Sequence, residues 1–310
     1  MTQINQEPNG ILLVDKPAGI TSHDVVFKVR RLFGTKKVGH TGTLDPMATG
    51  VLVVLVGRAA KASEYVSHDE KSYDATLRLG MVSDTEDTTG TISPSSVVSP
   101  KHLPTVAQVE GILPQFRGSI KQIPPMYSAL KVGGRKLCDI ARSGGVIERE
   151  ARDVTISALT MHPGRLPSDY LLSVTCSGGT YIRTLCADIG QALGCGGVMA
   201  TLRRTMACGF TLSQCYTLEA LAEMSPEERC ACLLPVEMLF ENHPVVKPAP
   251  FYFHLCKNGC ELYQKRIGTS FDMGTRVRMY TPDGEFFALG EVQDFEEGSA
   301  IKVIKIFVLP

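Results

Sequence analysis

The chain carries no net charge: 32 lysines and arginines face 32 aspartates and glutamates in 310 residues. Global electrostatics therefore gives no argument for a polyanionic partner. No run of about eighteen apolar residues is present to span a bilayer. The first ten residues are polar and lack the basic flank, apolar stretch and small-residue cleavage site of a secretory signal. A cytoplasmic protein with no membrane role is expected. Nucleotide motifs are missing too. The glycines around His40 lack the Gly-Lys-Ser/Thr that completes a phosphate loop, and no Gly-x-Gly-x-x-Gly follows a predicted strand, so ATP and dinucleotides lose support. His40 has no second histidine at metal-ligand spacing. The His-x-Glu with Pro-Cys-x-x-Cys pattern of zinc base deaminases is absent, as is the Gly-x-Ser-x-Gly elbow of a serine nucleophile. Neither a cofactor nor a metal is expected.

Ten cysteines in a chain without a secretory signal read as reduced thiols and small core residues, not as a disulfide framework. The pairs Cys230/Cys232 and Cys256/Cys260, the latter with His254 nearby, invite a zinc reading. The one-residue spacing of the first pair, in a helix-like stretch, fits a knuckle poorly, and buried, unligated thiols are expected. The 44% apolar and 21% charged content is that of a globular protein, and the length suggests one large and one small domain.

The most informative stretch is Gly39-His-Thr-Gly-Thr-Leu-Asp-Pro-Met-Ala-Thr-Gly50. Turn formers frame one carboxylate, Asp45, and permit a tight loop that holds it still. The apolar run 51–56 follows as a buried strand, placing Asp45 at the rim of a sheet. Upstream, residues 10–14 read as a strand. A helix follows, capped by Thr21 or Ser22, with Val25, Val26, Val29, Leu32 and Phe33 on one face and Gly34 at its stop. Residues 73–79 alternate as a half-buried strand with Tyr73 inward. Residues 84–105, rich in Ser, Thr, Pro and acids, read as a long surface loop. Residues 170–176 form a strand. Thr180 is expected to cap a helix that begins at Tyr181, putting Tyr181 and Arg183 in its first turn. A cation there opposes the helix dipole, so Arg183 needs an anionic partner or solvent. Local charge points to a polyanion where net charge does not. Lys28, Arg30, Arg31, Lys36 and Lys37 precede the Asp45 loop, and basic residues dominate from Arg117 to Arg152. Proline-rich residues 241–250 read as a linker to a small β-rich module.

Ordered blocks now resemble the TruB family, the tRNA pseudouridine-55 synthases. Besides residues 39–50 these are Gly10-Ile-Leu-Leu-Val-Asp-Lys-Pro17, Lys71-Ser-Tyr73, Ile123-Pro-Pro-Met-Tyr-Ser-Ala-Leu-Lys131, Cys176-Ser-Gly-Gly-Thr-Tyr-Ile-Arg-Thr184 and Leu202-Arg-Arg204. The blocks cover most of residues 10–205. Beyond about 210 only length and β pattern are similar to the family's C-terminal RNA-binding module of PUA type. Gly178 where relatives often carry a basic residue, Met47 for a common leucine, and the neutral charge depart from the family pattern.

The resemblance implies an α+β fold with a mixed sheet flanked by helices, a catalytic domain over 1–245 and a PUA-like RNA-binding domain over 246–310. It implies isomerisation of a uridine in the tRNA T-loop, without cofactor or metal, after the base is flipped out. Asp45 would be the catalytic carboxylate, Arg183 the cation that keeps it ionised and aimed, and Tyr73 the ring that stacks on the base and assists proton transfer. Tyr181 and Leu202 would line the uridine pocket, His40 would occupy the vacated place in the T-loop, and Lys16 would support the pocket. Lys131, Arg135, Lys136 and Arg142 would follow the T-arm phosphates. The partner is tRNA; no obligatory protein partner and a monomeric chain are expected. A noncatalytic tRNA-binding or tRNA-folding protein using the same cleft is the alternative. A sugar or nucleoside hydrolase lacks the usual second carboxylate.

Overall fold

The computed structural model describes residues 7–66, 70–94, 103–128 and 130–308, with the Lys136 side chain outside that description. The chain opens with β1 (Gly10–Lys16), α1 (Ser22–Leu32), β2 (Val38–His40) and β3 (Thr49–Val56). Strands β1 and β3 pair antiparallel from Gly10↔Val56 to Lys16↔Gly50. Both read as unbroken apolar runs because both their faces are covered. Ile11, Leu13, Val51, Val53 and Leu55 enter one core, while Leu12, Val14, Leu52, Val54 and Val56 enter another beneath α1. Helix α1 buries Val25, Val26 and Val29 there. Its capping box joins Thr21 and Asp24, each side chain accepting from the other's backbone N–H. Thr21 thus takes the cap, which leaves the Ser22 hydroxyl for another partner.

Next come β4 (Lys71–Leu79), a hairpin of β5 (Met81–Ser83) and β6 (Ile92–Pro94), α2 (Val106–Ile112) and β7 (Gly118–Gln122). A small hairpin of β8 (Lys131–Val132) and β9 (Arg135–Lys136) turns on Gly133 and Gly134, whose φ values of 57° and 83° suit the twist of a two-residue turn. Then follow α3 (Leu137–Arg142), β10 (Arg152–Pro163), β11 (Asp169–Cys176), α4 (Ile182–Ala192), β12 (Gly197–Ala207) and β13 (Phe210–Thr211). One mixed sheet collects nine of these strands in the order β1-β3-β12-β4-β11-β10-β7, with β2 beside β3 and β13 beside β12. The one parallel pair in that path is β3 with β12, through Arg203↔Thr49 and Arg204↔Gly50. On β4, Tyr73, Ala75, Leu77 and Leu79 face a third core, against Ile182, Leu185, Cys186 and Ile189 of α4. Each fully buried aliphatic side chain there contributes about 1.5–3 kcal/mol. The opposite face of β4 is polar, hence the alternation in sequence.

After α5 (Leu218–Glu223) and α6 (Pro226–Ala231), a second sheet of five strands is ordered β14-β16-β17-β18-β15. It comprises β14 (Val245–Val246), β15 (Leu262–Tyr263), β16 (Arg276–Tyr280), β17 (Phe286–Phe295) and β18 (Gly298–Ile306), with α7 (Pro250–Lys257) and α8 (Gln264–Ile267) between β14 and β16. Val277, Met279, Phe287, Val292 and Ile301 form its own core, while Phe286 and Phe307 pack on Phe240 and, with Leu289, join the β1–β3 core.

Three expectations differ. The proline-rich 241–250 segment supplies β14, parallel to β16, because Val245 and Val246 meet the edge left by Arg278 and Met279. Within 84–105, the described part holds the turn of the β5/β6 hairpin, strand β6 and Thr105, the N-cap of α2, and residues 95–102 lie outside the description. The cysteines are not uniformly buried: Cys256 is, but Cys230 and Cys260 are exposed, since α6 buries none of its residues and Cys260 follows the turn at Gly259. Among the described residues no cluster of three or more His, Cys, Asp and Glu could hold a metal ion, and no helix is long and apolar enough to cross a membrane.

Candidate active site

The 41–48 loop between β2 and β3 has few side chains to pack, yet it is held at nearly every residue. Thr41 N–H donates to Val53 O at 3.1 Å. The Ser22 hydroxyl, freed from capping, accepts from Leu44 N–H at 2.8 Å and donates to Leu44 O at 3.1 Å. Gly19 N–H meets Pro46 O at 2.8 Å. Two buried cations complete the hold. Lys16 Nζ donates to Pro17 O at 3.0 Å, Pro46 O at 3.2 Å and Ala48 O at 2.7 Å. Arg204 donates to Val51 O at 2.7 Å, Thr43 O at 3.4 Å and Gly42 O at 3.1 Å. Lys16 is 0% and Arg204 1% exposed, so carbonyl dipoles stand in for lost water. Burial still lowers the Lys16 pKa to about 8, with Asp45 opposing the change. At Gly50, φ is +105° and a Cβ would stand 2.1 Å from Arg204 O; only glycine lets β3 and β12 approach here.

Held this way, Asp45 meets Arg183. Arg183 Nε lies 2.8 Å from Asp45 Oδ2 and Nη2 lies 3.4 Å from Oδ1, a two-point contact. The Asp45 side chain is 33% exposed and that of Arg183 5%, so the carboxylate opens to solvent while its partner is sealed behind it. Both terminal nitrogens are also engaged by the backbone: Nη1 donates to Thr85 O at 2.9 Å and Nη2 to Tyr127 O at 2.8 Å. Burial pushes the Asp45 carboxyl above its ordinary value; Arg183 opposes this and Asp87 adds to it. The cation therefore offsets only part of the desolvation.

Lys16, Tyr73, Tyr181 and Arg183 all come within electrostatic reach of Asp45. Tyr73, 8% exposed, and Leu202, also 8%, lie in the core that includes Leu44 and Ala48 of the loop. Burial raises the pKa of both the Tyr73 and Tyr181 hydroxyls, and both feel Asp45. His40 ends β2; its ring is lowered in pKa by burial and by the Arg204 cation, and its Nδ1 is a buried nitrogen without a hydrogen-bond partner. The basic stretch divides. Lys131, Arg135 and Arg142 are exposed, Arg142 at 3.9 Å from Asp139; Lys121, also exposed, pairs with Asp153 at 3.3 Å, while Arg117 donates to Leu159 O and Arg149 to Pro124 O. The Lys136 side chain lies outside the described residues.

Two expectations are corrected. Thr180 does not cap α4; its hydroxyl donates to Ser177 O at 2.9 Å. Tyr181 is itself the N-cap residue, and Gln122 stands in for a capping side chain by accepting from Tyr181 N–H at 2.7 Å. Nor is Asp45 a lone carboxylate. Asp87, 4% exposed, places Oδ2 3.7 Å from Arg183 Nε, so the guanidinium sits between two acids. Asp87 comes from the tip of the β5/β6 hairpin, and the Ser, Thr and Asp richness of 84–91 marks hydrogen-bonded turns: Asp87 Oδ1 accepts from Thr85 Oγ1, Thr89 N–H and Thr89 Oγ1. Arg204, Ser22 and Gln122 were equally silent, since polar residues beside apolar runs read as surface until folding buries them.

The site sets a basic side chain against one partly open carboxylate within electrostatic reach of two phenols, and comparison with known proteins gives the family. The chain belongs to the TruB family of pseudouridylate synthases, and so is an isomerase: the family's N-terminal domain matches residues 30–182, and a tRNA pseudouridylate synthase B C-terminal domain matches residues 183–241. It is 41% identical over 285 residues to tRNA pseudouridine synthase B of Neisseria meningitidis, covering 92% of this chain and 90% of that one. The Burkholderia mallei protein of the same name is 40% identical over 303 residues, covering 95% and 96%. Among solved structures, a chain of a Cbf5-Nop10-Gar1 complex superposes with a TM-score of 0.74 at 26% identity, over 96% of this chain and 85% of that one.

Proposed function

We propose that the chain converts the T-loop uridine at position 55 of tRNA to pseudouridine, with Asp45 as the carboxylate that meets the ribose. The observation that carries this is the two-point Arg183–Asp45 contact, buried on the arginine side and open on the aspartate side. In the isomerisation the C1′–N1 bond breaks, the uracil turns, C5 bonds to C1′, and the proton displaced from C5 leaves to solvent while N1 is protonated. An anion fixed beside C1′ stabilises or traps the electron-poor sugar and can carry a proton. Tyr73 stacks on the base, with Tyr181 and Leu202 completing its pocket. His40 fills the place the flipped uridine leaves, and Lys131, Arg135, Lys136 and Arg142 follow the T-arm backbone. Residues 1–245 carry the chemistry, and 246–310 form the RNA-binding module. Catalysis needs no cofactor or protein partner.

The test is tritium release from T-arm RNA labelled at uridine C5, which isomerisation forces and binding alone does not. Asp45→Ala should abolish release and keep RNA binding within about tenfold, roughly 1.4 kcal/mol. Wild-type protein that binds the RNA yet releases nothing would leave a tRNA-binding protein; a much larger binding loss in Asp45→Ala would make Asp45 structural.

A further inference from the structure

The turn that brings Asp87 to Arg183 carries a second acid at its centre. Glu86 has a φ of +64°, one of two non-glycine residues in the left-handed region among the described residues. That conformation is costly for a residue with a side chain and easy for glycine. It has a geometric result: the neighbours on both sides of Glu86 face Arg183, Thr85 through its carbonyl at 2.9 Å and Asp87 through its carboxylate at 3.7 Å. The Glu86 side chain turns to the next residue of α4, where its Oε2 accepts from Thr184 Oγ1 at 2.6 Å. Thr184 is 4% exposed, and a hydroxyl–carboxylate bond this short is of the strong, charge-assisted kind. Three consecutive turn residues therefore grip two consecutive helix residues. The turn is anchored in turn to β12, since Met199 N–H donates to Glu86 O at 3.0 Å and Thr88 N–H to Met199 O at 3.1 Å.

We propose that Glu86 is a positioning residue: its carboxylate latches the β5/β6 turn to the first turn of α4 through Thr184, and so fixes the Arg183 guanidinium against Asp45. A glycine would suit the backbone better, so what glutamate contributes at this position lies in its side chain. The proposal rests on Asp45 being the reacting carboxylate.

Four variants of the full chain test it by single-turnover tritium release, RNA binding and thermal melting. Glu86→Gly relieves the backbone and removes the latch: it should melt no lower than wild type, bind T-arm RNA equally well, and turn over about tenfold more slowly. Glu86→Gln keeps an oxygen for the Thr184 hydroxyl and should recover to within about threefold of wild type. Thr184→Val should match Glu86→Gly, and the double variant should be no slower than either single one, as for two ends of one bond. Full-rate Glu86→Gly, multiplicative losses in the double variant, a glutamine no better than glycine, or a rate loss that only follows a lower melting temperature would each overturn the latch. Asp45→Ala in the same assay keeps the two readings apart. If it is inactive while Glu86→Gly is fully active, only the latch falls; if it turns over at the wild-type rate, the site assignment falls and the latch with it.

Discussion

Arg183→Met keeps most of the buried volume and removes the cation 2.8 Å from Asp45. A unit-charge pair at about 4 Å with an effective dielectric near 20 is worth about 4 kcal/mol. A third of the Asp45 side chain is open to water, so screening leaves roughly half, about 2 kcal/mol or 1.5 pKa units. The Asp45 pKa, already raised by burial, should rise further, because Asp87 now faces it without a cation between. Under the proposed function the ionised form is the working one, so activity should be lost as pH falls through this pKa. The acid limb of the single-turnover rate should therefore move up by about 1.5 units. Above that limb the rate should still be lower by about 10²–10³-fold, because an aimed charge-assisted contact is gone. Arg183→Lys restores charge but not the fork that reaches Asp45, Thr85 O and Tyr127 O together. It should return the limb to within about half a unit and leave the plateau about tenfold low. The assay is tritium release over pH 5 to 9 with saturating RNA. An unmoved acid limb in Arg183→Met, in protein with native circular dichroism, would refute the claim that Arg183 tunes Asp45.

Lys16→Met strips two loop carbonyls and that of Pro17 of their donor and should cost about 1–3 kcal/mol in chemical denaturation. The folded Lys16 pKa, about 8, lies below the ordinary 10.5, so the unfolded chain binds more protons between those values. Wild type should thus gain stability relative to Lys16→Met as pH rises from 8 to 10.5, and a gain in the opposite direction would contradict the burial argument. The Lys131→Ala, Arg135→Ala double variant should weaken T-arm binding and flatten its log–log salt dependence by about 1.5–2. An unchanged slope would remove both residues from the phosphate path. Gly50→Ala forces a Cβ to 2.1 Å from Arg204 O and should lower stability by about 3 kcal/mol or more, read as a fall in melting temperature.

Periodicity revealed those parts of the fold in which one rule governs a whole element. The Val51–Val56 run announces a strand covered on both faces, and the alternation from Tyr73 to Leu79 one covered on a single face. The Asp45 loop was legible because glycine and proline spacing is a local property. What holds that loop was legible only in part: the family resemblance pointed to Lys16 as support of the pocket, but Ser22 and Arg204 reach the loop from α1 and β12, far off in sequence. The cap of α4 was misplaced for the same reason: Gln122 arrives from β7, about sixty residues earlier in the chain than Tyr181, while Thr180 looked suitable by adjacency. Asp87 lay hidden in a stretch whose composition is that of an exposed loop.

The two cations that bind the Asp45 loop by its carbonyls come from separate strands of the large sheet, and both are sealed from water. A surface loop ordinarily opens by itself, at little cost and many times before the domain unfolds. This one cannot peel away without stranding a buried ammonium and a buried guanidinium, so its opening is bound to the loss of the sheet itself. Asp45 is in consequence no adaptable group that closes over whatever arrives. This loop is set when folding is finished, and under the proposed function the uridine must be brought to it.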